Sequence, residues 1–307
     1  MGVVLLLTYP KILHKEIPEK ITDADAQLWH APDTISIPTG EAGEQIRYGK
    51  KLVSHTAQYL GPKGSVLQIS NGTNCQNCHL AAGTKPFGNN YGSVASLYPR
   101  FRARSGGLES IEKRVNDCIE RSLNGKSLDS LSREMRAMVA YIKWVGKDVP
   151  KGKKASGSGL FDIAYLDRAA DTVKGKSLYT TKCVVCHGIK GEGLKRNNGI
   201  DYVYPPLWGE NSFNVGAGLY RISNFTKYIY ANMPLGATHD SPLLTEEESW
   251  DIAAYVLSLP RPEKTFASDW PKIETKPIDH PFGPYADPYS EAQHKFGPFK
   301  PILESLK

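Results

Sequence analysis

Two Cys-X-X-Cys-His pentads, helical patterns before and after each, and a Gly/Ser/Lys stretch between them predict a mainly α chain. The expected architecture is two small helical domains, residues 41–150 and 166–260, joined by a linker at 151–165. An irregular N-terminal extension (1–40) and a Pro/aromatic-rich wrapping tail (261–307) flank them. With 307 residues, 40% of them hydrophobic, the chain has enough apolar material for two cores.

The pentads are Cys75-Gln76-Asn77-Cys78-His79 and Cys183-Val184-Val185-Cys186-His187. Two thiols at this spacing suit thioether bonds to the vinyl groups of a porphyrin. The next residue, histidine, then falls beneath the iron as its proximal ligand. One pentad could serve as half of a zinc site or as a redox dithiol. Two pentads more than 100 residues apart, each with its histidine, point to two covalently bound haem c groups. Such attachment implies maturation outside the bacterial cytoplasm, so a periplasmic protein is expected.

In the extension, Val3-Val4-Leu5-Leu6-Leu7 reads as the remnant of a trimmed signal or as a short strand or disordered terminus. No run reaches the roughly 18 apolar residues of a membrane span. Ile46, Leu52, Val53, Thr56 and Leu60 then share one face of a helix predicted over Glu44–Leu60, which Gly61-Pro62-Lys63-Gly64 stops. Met135, Met138, Val139, Tyr141 and Ile142 mark a terminal helix over Leu131–Val145. Lys151 to Gly159 reads as a flexible, solvated linker. The order then repeats, with a helix over Arg168–Thr180, the second pentad, and a helix over Glu246–Leu259. Thr245 and Glu248 form a capping box for that last helix, and Pro260 stops it. Gly49 and Gly175 hold matching places in the two opening helices, where each would let Tyr141 or Tyr255 of a terminal helix cross closely. The tail carries Trp270, Phe282, Tyr285, Tyr289, Phe296 and Phe299. It is too aromatic for a disordered end and is expected to wrap across both domains without regular structure. The net charge of +6 is spread along the chain, which excludes a nucleic-acid binder and favours an anionic substrate or acidic redox partner.

Each iron takes a second axial ligand, and the repeat indicates where to look. Aligning Tyr141 with Tyr255 places Cys118 on Asn232, one residue before Met233. Met233, in Asn232-Met233-Pro234-Leu235-Gly236, suits a thioether ligand opposite His187. In the first domain Met135 and Met138 lie inside the terminal helix and read as core. The slot there holds Cys118, the fifth cysteine, and a thiol or thiolate ligand opposite His79 is expected. A His/Met site favours electron transfer at raised potential, whereas a thiolate lowers the potential. A cysteine sulfur can also form sulfur–sulfur bonds with a substrate.

Several segments together resemble the dihaem thiosulfate dehydrogenases, which interconvert thiosulfate and tetrathionate. They are Gly49-Lys50-Lys51-Leu52-Val53, the first pentad with Ala82-Gly83-Thr84, and Tyr98-Pro99-Arg100-Phe101-Arg102-Ala103-Arg104. Cys118 through Gly125, Pro205-Pro206-Leu207-Trp208-Gly209 and the Met233 segment complete the set. The resemblance covers most of the chain from Glu44 into the tail. It implies two class I cytochrome c-like domains, an active-site haem on His79 and Cys118, and an electron-exit haem on His187 and Met233. It also implies Arg104 and Ser122 as substrate-holding residues beside Cys118. Arg104 carries a physical reason of its own, since a guanidinium fork matches the sulfonate oxygens of thiosulfate. Pairing with haem propionates is its rival role, and the roles of Arg114 and Arg121 stay open. Some members carry a lysine directly before the methionine; here the residue is Asn232, so no lysine–methionine exchange is expected there. The implied reaction joins two thiosulfates into tetrathionate with release of two electrons, reversibly, to a small periplasmic cytochrome or similar carrier. The alternatives are a non-enzymatic dihaem carrier and a cytochrome that conjugates thiosulfate to a carrier protein.

Overall fold

A computed structural model describes residues 28–306, and the Val3–Leu7 run lies outside them. Six helices build two similar units: α1 (Gly40–Ser54), α2 (Ile111–Arg121) and α3 (Arg133–Val145), then α4 (Thr172–Lys182), α5 (Ile222–Asn232) and α6 (Glu246–Ser258). Two small antiparallel hairpins, Arg100–Arg102 with Gly107–Glu109 and Leu194–Lys195 with Tyr202–Tyr204, are the only sheets among the described residues.

The predicted opening helix begins earlier, at Gly40, and breaks at His55 before resuming over Thr56–Leu60. Its apolar face, Ile46, Leu52 and Val53, packs into one buried cluster with Met135, Met138 and Tyr141 of α3. Met135 and Met138 are core, as their helical spacing implied. The second cluster gathers Tyr179, Ile222, Ile229, Trp250 and Val256. The opening and terminal helices of each unit cross at a glycine. A Cβ on Gly49 would lie 1.9 Å from the Ala137 carbonyl oxygen and 2.8 Å from Tyr141 Cβ. On Gly175 the same distances are 1.9 Å to the Asp251 oxygen and 2.9 Å to Tyr255 Cβ. Only glycine permits these approaches. The Thr245/Glu248 capping box is formed.

Three expectations change. The Lys151–Gly159 stretch is tied down along its length: Gly152 N donates to Ser96 O at 2.9 Å, Lys153 O accepts from Ser96 Oγ at 2.6 Å and Ala155 N donates to Ser93 Oγ at 2.8 Å. Gly157 O accepts from Phe87 N at 2.8 Å and Asn90 Nδ2 at 2.7 Å, and Gly159 O accepts from Asn89 N at 3.0 Å. Composition does not show where backbone carbonyls find partners, and these are spent on the loop behind the first pentad. The tail does reach both units, but it contains two short helices, Glu291–Phe296 and Lys300–Ser305. Phe299 and Ile302 are wholly buried in the second core, while Asp269 and Trp270 contact Arg121 and Arg104 of the first unit. Finally, α2 and α5 lie between each pentad and its terminal helix, in stretches for which no helix was predicted. Their signal was present in the sequence: Ser110 caps α2, and Ile111, Val115 and Ile119 recur every fourth residue.

Candidate active site

Both pentad histidines are oriented by the backbone. His79 Nδ1 lies 2.5 Å from Asn89 O and His187 Nδ1 lies 3.0 Å from Pro205 O. A carbonyl accepts only, so each Nδ1 carries the proton and each Nε2 lone pair is left for a metal. Cys75, Cys78, His79, Tyr91, Arg114, Cys118 and Ser122 are among the residues lining a cavity of about 870 Å³ counted with its open mouth. A second cavity, about 1830 Å³ with its mouth, is bordered by Cys183, Cys186, His187 and Met233. Paired thiols, an Nδ1-protonated imidazole and an apolar chamber with a sulfur facing in fit haem c at both places. Ser122 and Cys78 border both cavities, and Tyr228 of the second unit donates to Asn77 O of the first pentad at 3.0 Å. The two chambers are therefore neighbours.

Helices α2 and α5 have equal length and start on corresponding isoleucines. In their register, Ser122 and Met233 are the two C-caps, closing on Cys118 O and Ile229 O. Cys118 thus corresponds to Ile229, one turn before the Met233 position, and not to Asn232 as the terminal-helix alignment suggests. A cysteine there faces the chamber from inside a helix, whereas Met233 reaches in from extended backbone. Asn232 is buried and donates through Nδ2 to Phe87 O and Tyr228 O, both at 3.1 Å.

Cys118 is electrostatically unlike Cys75, Cys78 and Cys183. Burial pushes Cys75 up to about 11 and Cys78 up to about 12, and Cys183 up to about 11. Burial acts on Cys118 too, but the Arg114 guanidinium and His79 more than offset it and hold the thiol down to about 7. Arg114 is the arginine in the first chamber, one helical turn before Cys118. Arg121 is committed elsewhere, gripping Asp269 of the tail at 2.7 and 2.8 Å with Phe266 beneath it. Arg104 is not among the residues lining the chamber. Its guanidinium sits 5.7 Å from the Trp270 ring centroid, and its pKa is lowered to about 10 by burial and by neighbouring Arg121 and Arg114. It remains a cation at neutral pH. The structure therefore brings Cys118 and Ser122 together at one chamber and sets Arg104 outside it. Sequence reasoning left Arg114 undecided, although its place four residues before Cys118 on one helix face was visible.

No helix among the described residues is long and apolar enough to cross a membrane. Residues 67–150 match the SoxA/TsdA cytochrome c domain family, and residues 172–260 match the cytochrome c family. Thiosulfate dehydrogenase of Psychrobacter arcticus is 39% identical over 78% of this chain and 71% of its own length. The Allochromatium vinosum thiosulfate dehydrogenase is 36% identical over 84% of this chain and 91% of its own. Thiosulfate dehydrogenase TsdBA of Marichromatium purpuratum, as isolated, superposes with a TM-score of 0.71 at 30% identity. That match covers 82% of this chain but about half, 52%, of the longer TsdBA chain. With two cytochrome c domains, and with relatives of that similarity matched over most of their length, the chain belongs to the thiosulfate dehydrogenase family and carries two covalently bound haem c groups.

Proposed function

We propose that this chain interconverts thiosulfate and tetrathionate in the periplasm, reversibly, with Cys118 as the reacting thiol. The observation that carries the reading is a fifth, low-pKa thiol sharing one chamber with a pentad histidine. His79 and Cys118 would hold the first haem iron, and His187 and Met233 the second. The haems, when bound, supply the capacity that side chains lack, by taking up two electrons.

The side chains do the rest. Arg114 favours the Cys118 thiolate and presents a guanidinium to the doubly charged substrate, while Arg104 adds positive field from outside the chamber. A bond forms between Cys118 Sγ and the sulfane sulfur of one thiosulfate, with loss of two electrons. The sulfane sulfur of a second thiosulfate then attacks the adduct's sulfane sulfur. The Cys118 thiolate leaves and tetrathionate is released, with atoms and charge balanced. Ser122, at the helix end beside both chambers, offers a hydroxyl to the sulfonate oxygens. A small periplasmic cytochrome or similar carrier would take the electrons onward.

The test is turnover of purified holoprotein with thiosulfate plus an artificial acceptor, and with tetrathionate plus a donor. Activity in both assays supports the reading; inactivity in both reduces the chain to an electron carrier.

A further inference from the structure

Arg261 lies three residues beyond the end of α6 and is only 8% exposed. Its guanidinium is held between the rings of Phe213 and Tyr220, 4.3 and 4.7 Å from their centroids. Nη2 donates to Val256 O at 2.8 Å. Nε and Nη1 are buried without an acceptor, and no carboxylate pairs with the group among the described residues. Burial lowers its pKa to about 10 against a smaller opposing pull from the Tyr220 hydroxyl, and the group keeps a full charge at neutral pH. That hydroxyl lies outside hydrogen-bond geometry with Nε and Nη1. Two aromatic faces and one carbonyl do not compensate a buried cation with two orphaned donors. The arrangement calls for an anion with planar, paired oxygen acceptors.

The neighbours of Arg261 say where that anion comes from. Phe213, against one face of the guanidinium, and Val256, whose carbonyl it holds, both border the second cavity. Haem c carries two propionate carboxylates, each matching a guanidinium fork. We propose that Arg261 is the propionate anchor of the second haem, pairing a carboxylate of the group attached through Cys183 and Cys186. The inference rests on haem in the second cavity, which covalent mass addition checks independently. Paired in this way, the arginine cancels a negative charge beside the iron. Without it, the bare propionate would favour the ferric state and would titrate in the neutral range.

The experiment is a redox titration of holoprotein across pH 5–9 for wild type, Arg261→Gln and Arg261→Lys, with thermal melting alongside. Arg261→Gln should lower the midpoint of the higher-potential component and give it a new pH dependence. It should also lower the melting temperature and leave the lower-potential component in place. Arg261→Lys, which keeps the charge but not the fork, should fall between; if Arg261→Gln cannot be isolated, an unchanged Arg261→Lys midpoint overturns the proposal. It is equally overturned if Arg261→Gln holds the wild-type midpoint and pH profile. A higher melting temperature in that variant would mark an uncompensated cation. Wild-type melting that climbs with added phosphate, with no change in potential, would assign the site to a free inorganic anion.

Discussion

The two helical units are most alike around their pentads and differ most in the sulfur that borders each chamber from the following helix. On the proximal side they are nearly the same: a glycine crossing, a pentad, and a histidine held by a backbone carbonyl. On the distal side, one presents a thiol from within α2, beside an arginine. The other presents a thioether from the residue that ends α5. In the function proposed above, one helical turn and one residue type separate the site of sulfur chemistry from the one that passes electrons. Under that proposal the fold stays common around the pentads and function diverges at Cys118 and Met233.

The largest effect should come from erasing that difference. Cys118→Met keeps a sulfur at the chamber but removes the nucleophile. Turnover should fall by orders of magnitude, about 4 kcal/mol or more at the transition state, while the lower reduction potential rises. Near-normal turnover in a fully loaded variant would remove the covalent step. Next in size is the part the units share. Gly49→Ala and Gly175→Ala should each destabilise by about 3 kcal/mol in denaturant melts, because a Cβ would collide with a backbone oxygen in both. A large loss in one and none in the other would break the equivalence of the crossings.

Met233→Ala should shift only the higher-potential component of a redox titration; movement of the lower one alone would reverse the assignment. The smallest effect concerns the tail that bridges the units. His280 accepts from Trp270 Nε1 at 3.3 Å and donates to Phe282 O at 3.1 Å, and burial and then Lys276 hold it down to about 3. It stays neutral when folded but charges below about 6.5 when unfolded. Its contribution is therefore complete above pH 6.5 and lost as pH falls toward 3. Stability should drop by about 2 kcal/mol on acidification to pH 5, and His280→Gln should flatten that slope.

Local chemistry made much of this protein readable from its sequence. Each pentad is contiguous, so haem attachment needed no knowledge of distant residues. The glycine crossings were legible because the repeat supplied both partners, and the Thr245/Glu248 box because capping spans one turn. Cys118 and Met233 stood out by residue type, yet their one-turn offset did not. That offset follows from where α2 and α5 begin, and an alignment anchored on the terminal helices does not see those starts. The roles of the arginines were likewise closed to sequence reading. Arg104, Arg114 and Arg121 are the same residue within one short stretch. The tail, more than 140 residues away, takes Arg121 with Asp269 and sets Trp270 beside Arg104, leaving Arg114 facing the thiol. Charge pairing acts through space, so it was the folded path of the tail that decided which guanidinium stayed free.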